Sequence, residues 1–181
     1  MRQLVVDGIV LKRKNVGEAD RFVTLFTKQF GKMQLKAIGV RKIASRRASH
    51  IELLNVVRCG VYKGKGMPIL TEIATQESFS GIKTDLNKVG FAYHICELID
   101  GLCPENQENP AIFTLLENVF AKIQREESLS IIIHDFEITL LTLLGYWSPQ
   151  QSAQKQQTAF LIENILERRL KTRQILPKLL S

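Results

Sequence analysis

Long apolar runs and catalytic signatures are both missing from this sequence of 181 residues. No stretch of 18 consecutive apolar residues occurs, so we expect no membrane span, and the N-terminus does not resemble a signal peptide. Neither phosphate-binding glycine motifs nor the HExxH and GxSxG patterns of hydrolases occur. We therefore expect a cytoplasmic protein that is not an enzyme.

Cysteine is scarce, and its spacing carries no metal signature. Cys59, Cys96 and Cys103 are an odd number without a CxxC pair, which argues against a disulfide framework and a zinc site. The three histidines lie far apart in sequence, and none has a ligand-spaced partner. Asp135 and Glu137 lie two residues apart on a predicted helix, so they face different ways and are interpreted as surface charges. We expect no metal ion and no cofactor.

Charge is distributed unevenly along the chain. Residues 1–82 hold 15 Lys/Arg and 6 Asp/Glu, a net charge of +9, whereas residues 83–163 hold 5 and 11, a net charge of −6. Residues 164–181 add a net charge of +4 from 5 basic residues and 1 acidic residue. A basic head joined to an acidic middle indicates a module for an anionic partner, such as nucleic acid, an acidic protein tail or an anionic membrane.

Strand patterns fill the first 80 residues. Five short runs rich in β-branched and aromatic residues show the alternation of polar and apolar side chains that is typical of half-buried strands. These runs cover residues 4–12, 21–27, 32–38, 51–62 and 67–78. Five short strands without a long helix predict a small barrel or sandwich, with a loop over residues 40–49 and a hairpin turn over residues 63–66.

Helical spacing replaces the strand pattern after residue 83. Thr84 is the expected cap of a helix that ends near Leu102, and Asn109-Pro110 is the expected start of a second helix. A third helix, apolar on nearly all sides, is predicted over residues 131–144.

A fourth helix is predicted after the polar lead-in that begins at Ser152, and it should run to about Leu170. The change of period divides the chain into a β domain, residues 1–80, and an α-helical bundle, residues 81–181. The predicted fold class is therefore α+β.

Three basic clusters stand out in the β domain, and each is assigned to a connector between strands. Arginine and lysine side chains on loops can follow a phosphate backbone, and neighbouring Gly and Ser residues allow close approach. We therefore predict that these clusters, together with two basic residues on neighbouring strands, contact DNA phosphates without reading bases. The predicted contacts are Lys12, Arg13, Lys14, Arg21, Lys36, Arg41, Lys42, Arg46, Arg47, Lys63 and Lys65.

Two phenylalanines of the second strand offer a further possibility. Phe22 and Phe26 alternate with Thr24 and so share one face of the strand. We interpret both rings as core residues, and stacking on nucleic-acid bases is the alternative.

An ordered series of motifs resembles the RecO family of bacterial DNA repair and recombination proteins. The strongest part is the stretch GIVLKRKNVGEADRFVTLFTKQFGKMQLKAIGVRK. Further similar segments are VYKGKG (61–66), LTEIATQESF (70–79), ELIDGLCPENQENPAIFTLLENVF (97–120), FEITLLTLLGYWSP (136–149) and LERRLKTRQIL (166–176). The resemblance covers nearly the whole chain.

This resemblance implies a five-stranded oligonucleotide-binding (OB) barrel followed by an α-helical domain. It implies a protein of the nucleoid that binds single- and double-stranded DNA and anneals complementary strands. The implied partners are the protein RecR and the acidic C-terminal tail of the single-strand-binding protein SSB. Through them the protein would help load the RecA recombinase onto SSB-coated DNA. No residue of this chain is assigned to a protein partner.

The sequence departs from the family in one place. Many members carry a CxxC zinc-ribbon element between the Gly-Tyr motif and the closing helix, whereas here the interval Gln150–Thr158 holds no cysteine. We therefore expect a shortened variant without structural zinc.

Two other functions remain open on the sequence. A protein-interaction adaptor could use the basic surface to bind acidic protein tails and would bind DNA only weakly. An OB-fold RNA binder would present the same kind of basic barrel.

Overall fold

The computed structural model describes residues 2–125, 128–148 and 155–172, which fall into two compact units. One unit combines the chain up to Ser78 with the segment Cys103–Phe113, and the other combines Phe79–Leu102 with the chain from Thr114 onward. The segment Cys103–Phe113, called the covering segment below, therefore belongs with the N-terminal unit although helical sequence flanks it.

Five strands build the N-terminal unit. They are β1 (Arg2–Val16), β2 (Asp20–Thr27), β3 (Gly31–Ala37), β4 (Val56–Lys63) and β5 (Ile69–Glu77). The strands close into a barrel in the order β1-β2-β3-β5-β4, with antiparallel pairs except for the parallel contact between β3 and β5. A closed five-stranded barrel of this kind is an OB fold, so the predicted α+β class and OB barrel are confirmed.

β1 is longer than its sequence pattern predicts because it has two partners. Its first half pairs with β4 and its second half pairs with β2. The register with β2 shifts between Val10 and Lys12, and this bulge bends the strand from one partner toward the other. The prediction that Lys12–Lys14 lies on a connector is wrong, because these residues continue the ladder with β2.

Aliphatic side chains fill the barrel interior and alternate with outward-facing residues. On β2, Val23 and Leu25 belong to this interior cluster, so Phe22 and Phe26 point outward. Phe26 is nevertheless fully buried, whereas Phe22 is only half-buried. The core interpretation is therefore right about the burial of Phe26 and wrong for Phe22. The cluster consists of Val6, Val10, Val23, Leu25, Met33, Leu35, Ala37, Val40, Ile51, Val57, Cys59, Val61 and Leu70.

The connection between β3 and β4, residues 38–55, is a loop of successive turns. Ile51 and Leu54 are buried within it, so their apolar character extends the sequence pattern of β4 five residues too early. Leu54 has a φ of 71°, which an extended strand does not allow. The buried side-chain amide of Asn55 then donates to two carbonyls of the same loop at 3.1 Å. Apolar composition alone does not reveal such a loop.

Helices account for most of the second unit. They are α1 (Ser80–Lys83), α2 (Leu86–Leu102), α3 (Pro110–Arg125), α4 (Leu129–Leu143) and α5 (Lys155–Leu166). The predicted cap of α2, Thr84, is wrong because Thr84 ends α1. Asp85 caps α2 instead, accepting the amides of Asn87 and Lys88 at 2.8 and 3.2 Å. Asn109 caps α3 as predicted, through the amide of Ile112 at 3.2 Å.

A buried polar network joins three helices of this unit. His94 on α2 places Nε2 3.0 Å from Oε1 of Glu137 on α4, and the hydroxyl of Thr158 on α5 donates to Oε2 of Glu137 at 2.8 Å. The interpretation of Glu137 as a surface charge is therefore wrong. Both carboxyl oxygens of Glu137 therefore have a hydrogen-bond partner, as buried polar groups require.

α5 ends earlier than predicted. Glu167 takes a φ of 51° directly after Leu166, so the helix does not continue to Leu170. The lead-in at Ser152, most of the interval Gln150–Thr158 and the end of the last motif beyond residue 172 lie outside the described residues. None of the helices described is long and apolar enough to cross a bilayer.

Candidate nucleic-acid interface

Basic and aromatic side chains meet on the outer face of β1, β2 and β3. The strand register places Lys14 opposite Phe22, and Phe22 opposite Lys36, in one row across the three strands. Side chains directly opposite each other on neighbouring strands have Cβ atoms about 5 Å apart. The outer face of strands 2 and 3 is where OB barrels bind oligonucleotides. We call this row and the neighbouring row of Lys12, Thr24 and Gln34 the open face.

The neighbouring row completes the open face. Lys12 stands opposite Thr24, and Thr24 opposite Gln34, two positions further along the strands. Lys12 and Lys14 are exposed, and Gln34 is half-buried. The open face therefore carries three ammonium groups, one amide and one aromatic ring, a set that can meet phosphates and a base together.

An ion pair anchors one edge of this face. Lys36 Nζ lies 3.1 Å from Oδ2 of Asp20, and the amide of Gly39 donates to Oδ1 of Asp20 at 2.8 Å. The Gly39 amide and then the Lys36 ammonium hold the pKa of Asp20 below its ordinary value. Asp20 is therefore ionised at neutral pH. It cancels part of the charge of Lys36.

The covering segment closes the far end of the same sheet face. The amide of Asn106 donates to the carbonyl of Lys32 at 2.8 Å, and Glu105 forms a parallel bridge with Lys32. Lys32 is only 8% exposed as a result. A side chain at Gly31 would overlap the carbonyl of Gln107. The covering segment therefore occupies this end of the sheet face, whereas Lys12 and Lys14 at the other end are exposed.

The loop over residues 38–55 adds cations beside the open face. Arg41 donates its amide to Ala19 at 2.9 Å and its guanidinium to the carbonyl of Gly17 at 3.0 Å, which holds the loop against the β1–β2 turn. Arg41 and Lys42 are exposed and line a shallow groove of about 400 Å³ together with Arg21 and Glu52.

Two predicted contacts in this region have protein partners. Arg13 is half-buried and forms an ion pair with Glu52. The Nε of Arg21 donates to Oδ1 of Asn15 at 3.0 Å. Among the described residues, the two terminal nitrogens of Arg21, which also lines the groove, have no hydrogen-bond partner. Arg13 therefore stabilises the wall of the groove, whereas Arg21 keeps donors for an anion.

Adjacent arginines of the loop behave differently. Arg47 donates to the carbonyls of Leu70, Thr71 and Ile38 at 3.1, 3.3 and 2.6 Å, so its guanidinium ties the loop to β5 and to the end of β3. Arg46 is exposed and has no hydrogen bond or ion pair in the described structure. Arg46 is the better placed of the two for a phosphate.

The turn between β4 and β5 carries the last cluster. Lys63, the last residue of β4, and Lys65, in the turn, are both exposed. This connection reaches the open face, because the carbonyl of Pro68 accepts the amide of Lys36 at 2.8 Å. The structure thus brings the open face, the 38–55 loop and this turn together on one barrel.

Sequence reasoning missed one member of the open face and preferred a core role to base stacking for another. Gln34 was not among the predicted contacts although the alternation in β3 places it on the same side as Lys36. Phe22 was assigned to the core. The signal for both was the period-2 pattern combined with the identity of the inward residues, Val23 and Leu35.

Metal ligands and reactive thiols do not add to the site. Within the described residues, no group of three His, Cys, Asp or Glu side chains could hold a metal ion. Burial raises the pKa of Cys59 and Cys96 to about 12 and that of Cys103 to about 11. All three cysteines are free and buried, as expected for structural thiols.

Comparison with known proteins connects this barrel and helical unit to one family. Residues 1–79 match the family described as Recombination protein O N terminal, and residues 83–152 match Recombination protein O C terminal. Together these matches cover most of the chain and confirm the resemblance seen in the motifs.

Curated relatives of the chain belong to the same family as the matching family models. The chain is 34% identical to the DNA repair protein RecO of Roseiflexus sp. (strain RS-1), over 77% of this chain and 49% of that protein. It is 32% identical to that of Symbiobacterium thermophilum over 78% and 56%, and 33% identical to that of Acetivibrio thermocellus over 81% and 59%. The chain spans about half the length of the curated relatives it matches. The chain belongs to the RecO family of recombination proteins.

Proposed function

We propose that this chain is a DNA-binding mediator of recombination and repair, and that its barrel holds DNA by the phosphate backbone. The observation that carries the proposal is the union of the open face with the cations of two loops on one OB barrel. In this proposal the N-terminal domain, residues 1–80, binds DNA. The helical domain, residues 81–181, serves the protein partners.

Family membership supports the finer activity that we propose. The barrel binds single- and double-stranded DNA, anneals complementary strands and, with RecR, assists RecA loading on SSB-coated DNA in the cytoplasm. Its relatives carry the name DNA repair protein, which supports the repair role. Contact with the acidic SSB tail is part of the same proposal.

Nine predicted contacts remain as phosphate candidates when we set aside Arg13, which is paired with Glu52, and Arg47, which donates to three carbonyls. They are Lys12, Lys14, Arg21, Lys36, Arg41, Lys42, Arg46, Lys63 and Lys65. If about 4–6 of them meet phosphates at once, the logarithm of affinity falls with the logarithm of salt concentration at a slope of about −3 to −5. Titrating a labelled oligonucleotide at several salt concentrations measures this slope, and a flat response would contradict the mechanism.

Replacing Arg41, Lys42 and Arg46 together with alanine tests the loop. We expect weaker binding to all sequences, a slope smaller by about 2–3 and little change in stability, because exposed loop charges contribute little to folding. The matched control replaces Lys122, Arg125 and Arg169, three exposed cations of the second unit, and removes the same net charge. Equal losses in both variants would mean that only total charge matters and that the loop is not a site.

Annealing is tested separately with two labelled complementary strands, naked or coated with SSB. The proposed mediator accelerates pairing in both cases, because it neutralises the phosphates that keep the strands apart. A protein that binds a peptide with the SSB tail sequence yet leaves annealing unchanged would be an adaptor instead.

A further inference from the structure

We infer that Phe22 is a base-stacking residue that makes the open face prefer single-stranded over double-stranded DNA. This inference rests on the proposed function, because it names the strand that the same site selects. It starts from the position of one aromatic ring between two lysines.

Phe22 lies on the outer side of the barrel wall. Its strand neighbour Val23 is 1% exposed in the interior, whereas Phe22 lies outside and is half-buried. Lys14 and Lys36 flank it on β1 and β3. An outward ring gains less from burial than an inward one, and the exposed part of the Phe22 ring can contact a planar ligand.

The flanking cations define what kind of planar ligand fits. Strands in a sheet lie about 4.8 Å apart, so the two lysines stand on either side of the ring within about 10 Å of each other. A phosphate on each side of one base matches this spacing. The chemistry recognised is therefore a nucleotide within a strand, with its base on Phe22 and its flanking phosphates at the lysines.

The covering segment limits the path of that strand. It blocks the end of the face at Lys32, and its own side chains Glu105 and Glu108 are exposed carboxylates. Phosphates are repelled from this end and attracted to the lysines of the open end. Bound DNA is thereby directed across Phe22 rather than along the whole sheet.

Only an unpaired strand can use the ring. In a duplex the faces of the bases are stacked on each other, and only their edges are accessible in the grooves. The lysines contact the backbone of either form, so they supply affinity without choosing between them. Stacking on Phe22 is a contact that a duplex cannot make.

The test compares three probes with three variants. The probes are an oligothymidine, a strand of the same length made of abasic nucleotides, and a duplex. Phe22→Leu keeps apolar bulk and removes the ring, Phe22→Trp keeps an aromatic face, and Phe30→Leu is the control. Phe30 is an exposed phenylalanine in the turn between β2 and β3, off the open face.

We expect Phe22→Leu to weaken oligothymidine binding by about 5- to 100-fold, the range of one lost stacking contact. Binding to the abasic strand and to the duplex should change less than about twofold, since neither offers a free base face. Phe22→Trp should restore oligothymidine binding, and its added fluorescence should be quenched by oligothymidine but not by the abasic strand. Phe30→Leu should bind all three probes like the unchanged protein.

Circular dichroism and thermal unfolding verify that each variant folds. A Phe22→Leu variant that folds and binds oligothymidine with unchanged affinity overturns the inference while leaving the proposed function intact. Equal losses on the abasic strand would also overturn it, because they would show a change in backbone contacts. An unchanged protein that binds none of the three probes overturns the proposed function itself.

Discussion

Two neighbouring residues of identical type show how little residue identity says about role. Arg46 and Arg47 have the same charge and lie in the same loop, yet Arg47 donates to three backbone carbonyls and Arg46 points to solvent. Sequence reasoning treated them alike because carbonyl partners from β5 and β3 are distant in sequence. Only the fold reveals which guanidinium is already engaged.

Replacing each arginine with alanine separates these roles. We expect Arg47→Ala to lower the free energy of unfolding by about 1–2 kcal/mol, since charge-assisted hydrogen bonds to carbonyls are lost at a partly exposed site. Arg46→Ala should change it by less than about 0.5 kcal/mol. Chemical denaturation measures the free energy of unfolding of both variants. In oligonucleotide binding we expect the larger direct loss of affinity from Arg46→Ala. A stability loss at Arg46 equal to that at Arg47 would contradict the assignment.

At the scale of elements, one important contact joins two segments that are far apart in sequence. The covering segment and β3 meet at Gly31, which has a φ of 65° and no space for a side chain beside Gln107. The strand and helix patterns were visible in sequence, because alternation and helical spacing are local. This contact was not, since nothing local distinguishes Gly31 from a glycine of an ordinary turn.

Gly31→Ala should therefore destabilise the barrel strongly. We expect a loss of about 2–4 kcal/mol, from a strained φ and from overlap with the Gln107 carbonyl. Gly17→Ala is the matched control, because Gly17 also has a positive φ, 56°, but has open space around it. It should lose only about 1 kcal/mol, the cost of the left-handed conformation. Similar losses in thermal or urea unfolding would mean that the covering segment yields to the added methyl group.

The segment after α5 is held by a carboxylate of α2. Burial alone would raise the pKa of Glu97, but the Arg168 guanidinium at 2.7 Å, the amides of Thr172 and Lys171 and the Thr172 hydroxyl outweigh it. Together they lower the pKa to about 2 from an ordinary value of 4.5. Protonation of Glu97 therefore weakens the attachment of this segment.

This shift makes stability depend on acid pH. Because the folded pKa lies below the unfolded one, the contribution of Glu97 is complete above about pH 4.5 and declines as the pH falls toward 2. Glu97→Gln should cost about 1–2 kcal/mol at neutral pH and flatten this decline. Unfolding curves recorded between pH 6 and pH 2 test it. An unchanged pH profile in the variant would assign the acid sensitivity to other groups.

The thiols of the molecule are buried in both units. Cys59 and Cys103 lie in the barrel unit and Cys96 in the helical unit, and burial keeps all three protonated at neutral pH. We expect an aromatic disulfide reagent at pH 8 to label none of them within minutes in the native protein and all three in denaturant. Variants that retain one cysteine each would report the opening of each unit. Rapid native labelling of Cys96 would show that the helical unit opens independently.

At the scale of the whole molecule, the sequence predicts the fold class and the barrel, because strand alternation and helical spacing are properties of the chain itself. Its charge asymmetry predicts a basic site on the barrel, and that site stays a prediction. The sequence does not predict which side chains share the open face. Lys12, Lys14 and Lys36 were found as charges, but their union around Phe22 requires the register of three strands and the bulge in β1. Glu137 was misassigned for the same reason, since its partners His94 and Thr158 come from other helices.

The placement of the covering segment also has a consequence for synthesis on the ribosome. Domains usually fold as units in the order in which they emerge. Here the last strand of the barrel ends at Glu77, yet the residues that complete its surface end at Phe113. We therefore expect the sheet face at Lys32 to stay uncovered on the nascent barrel, and accessible to chaperones, until the covering segment has left the exit tunnel.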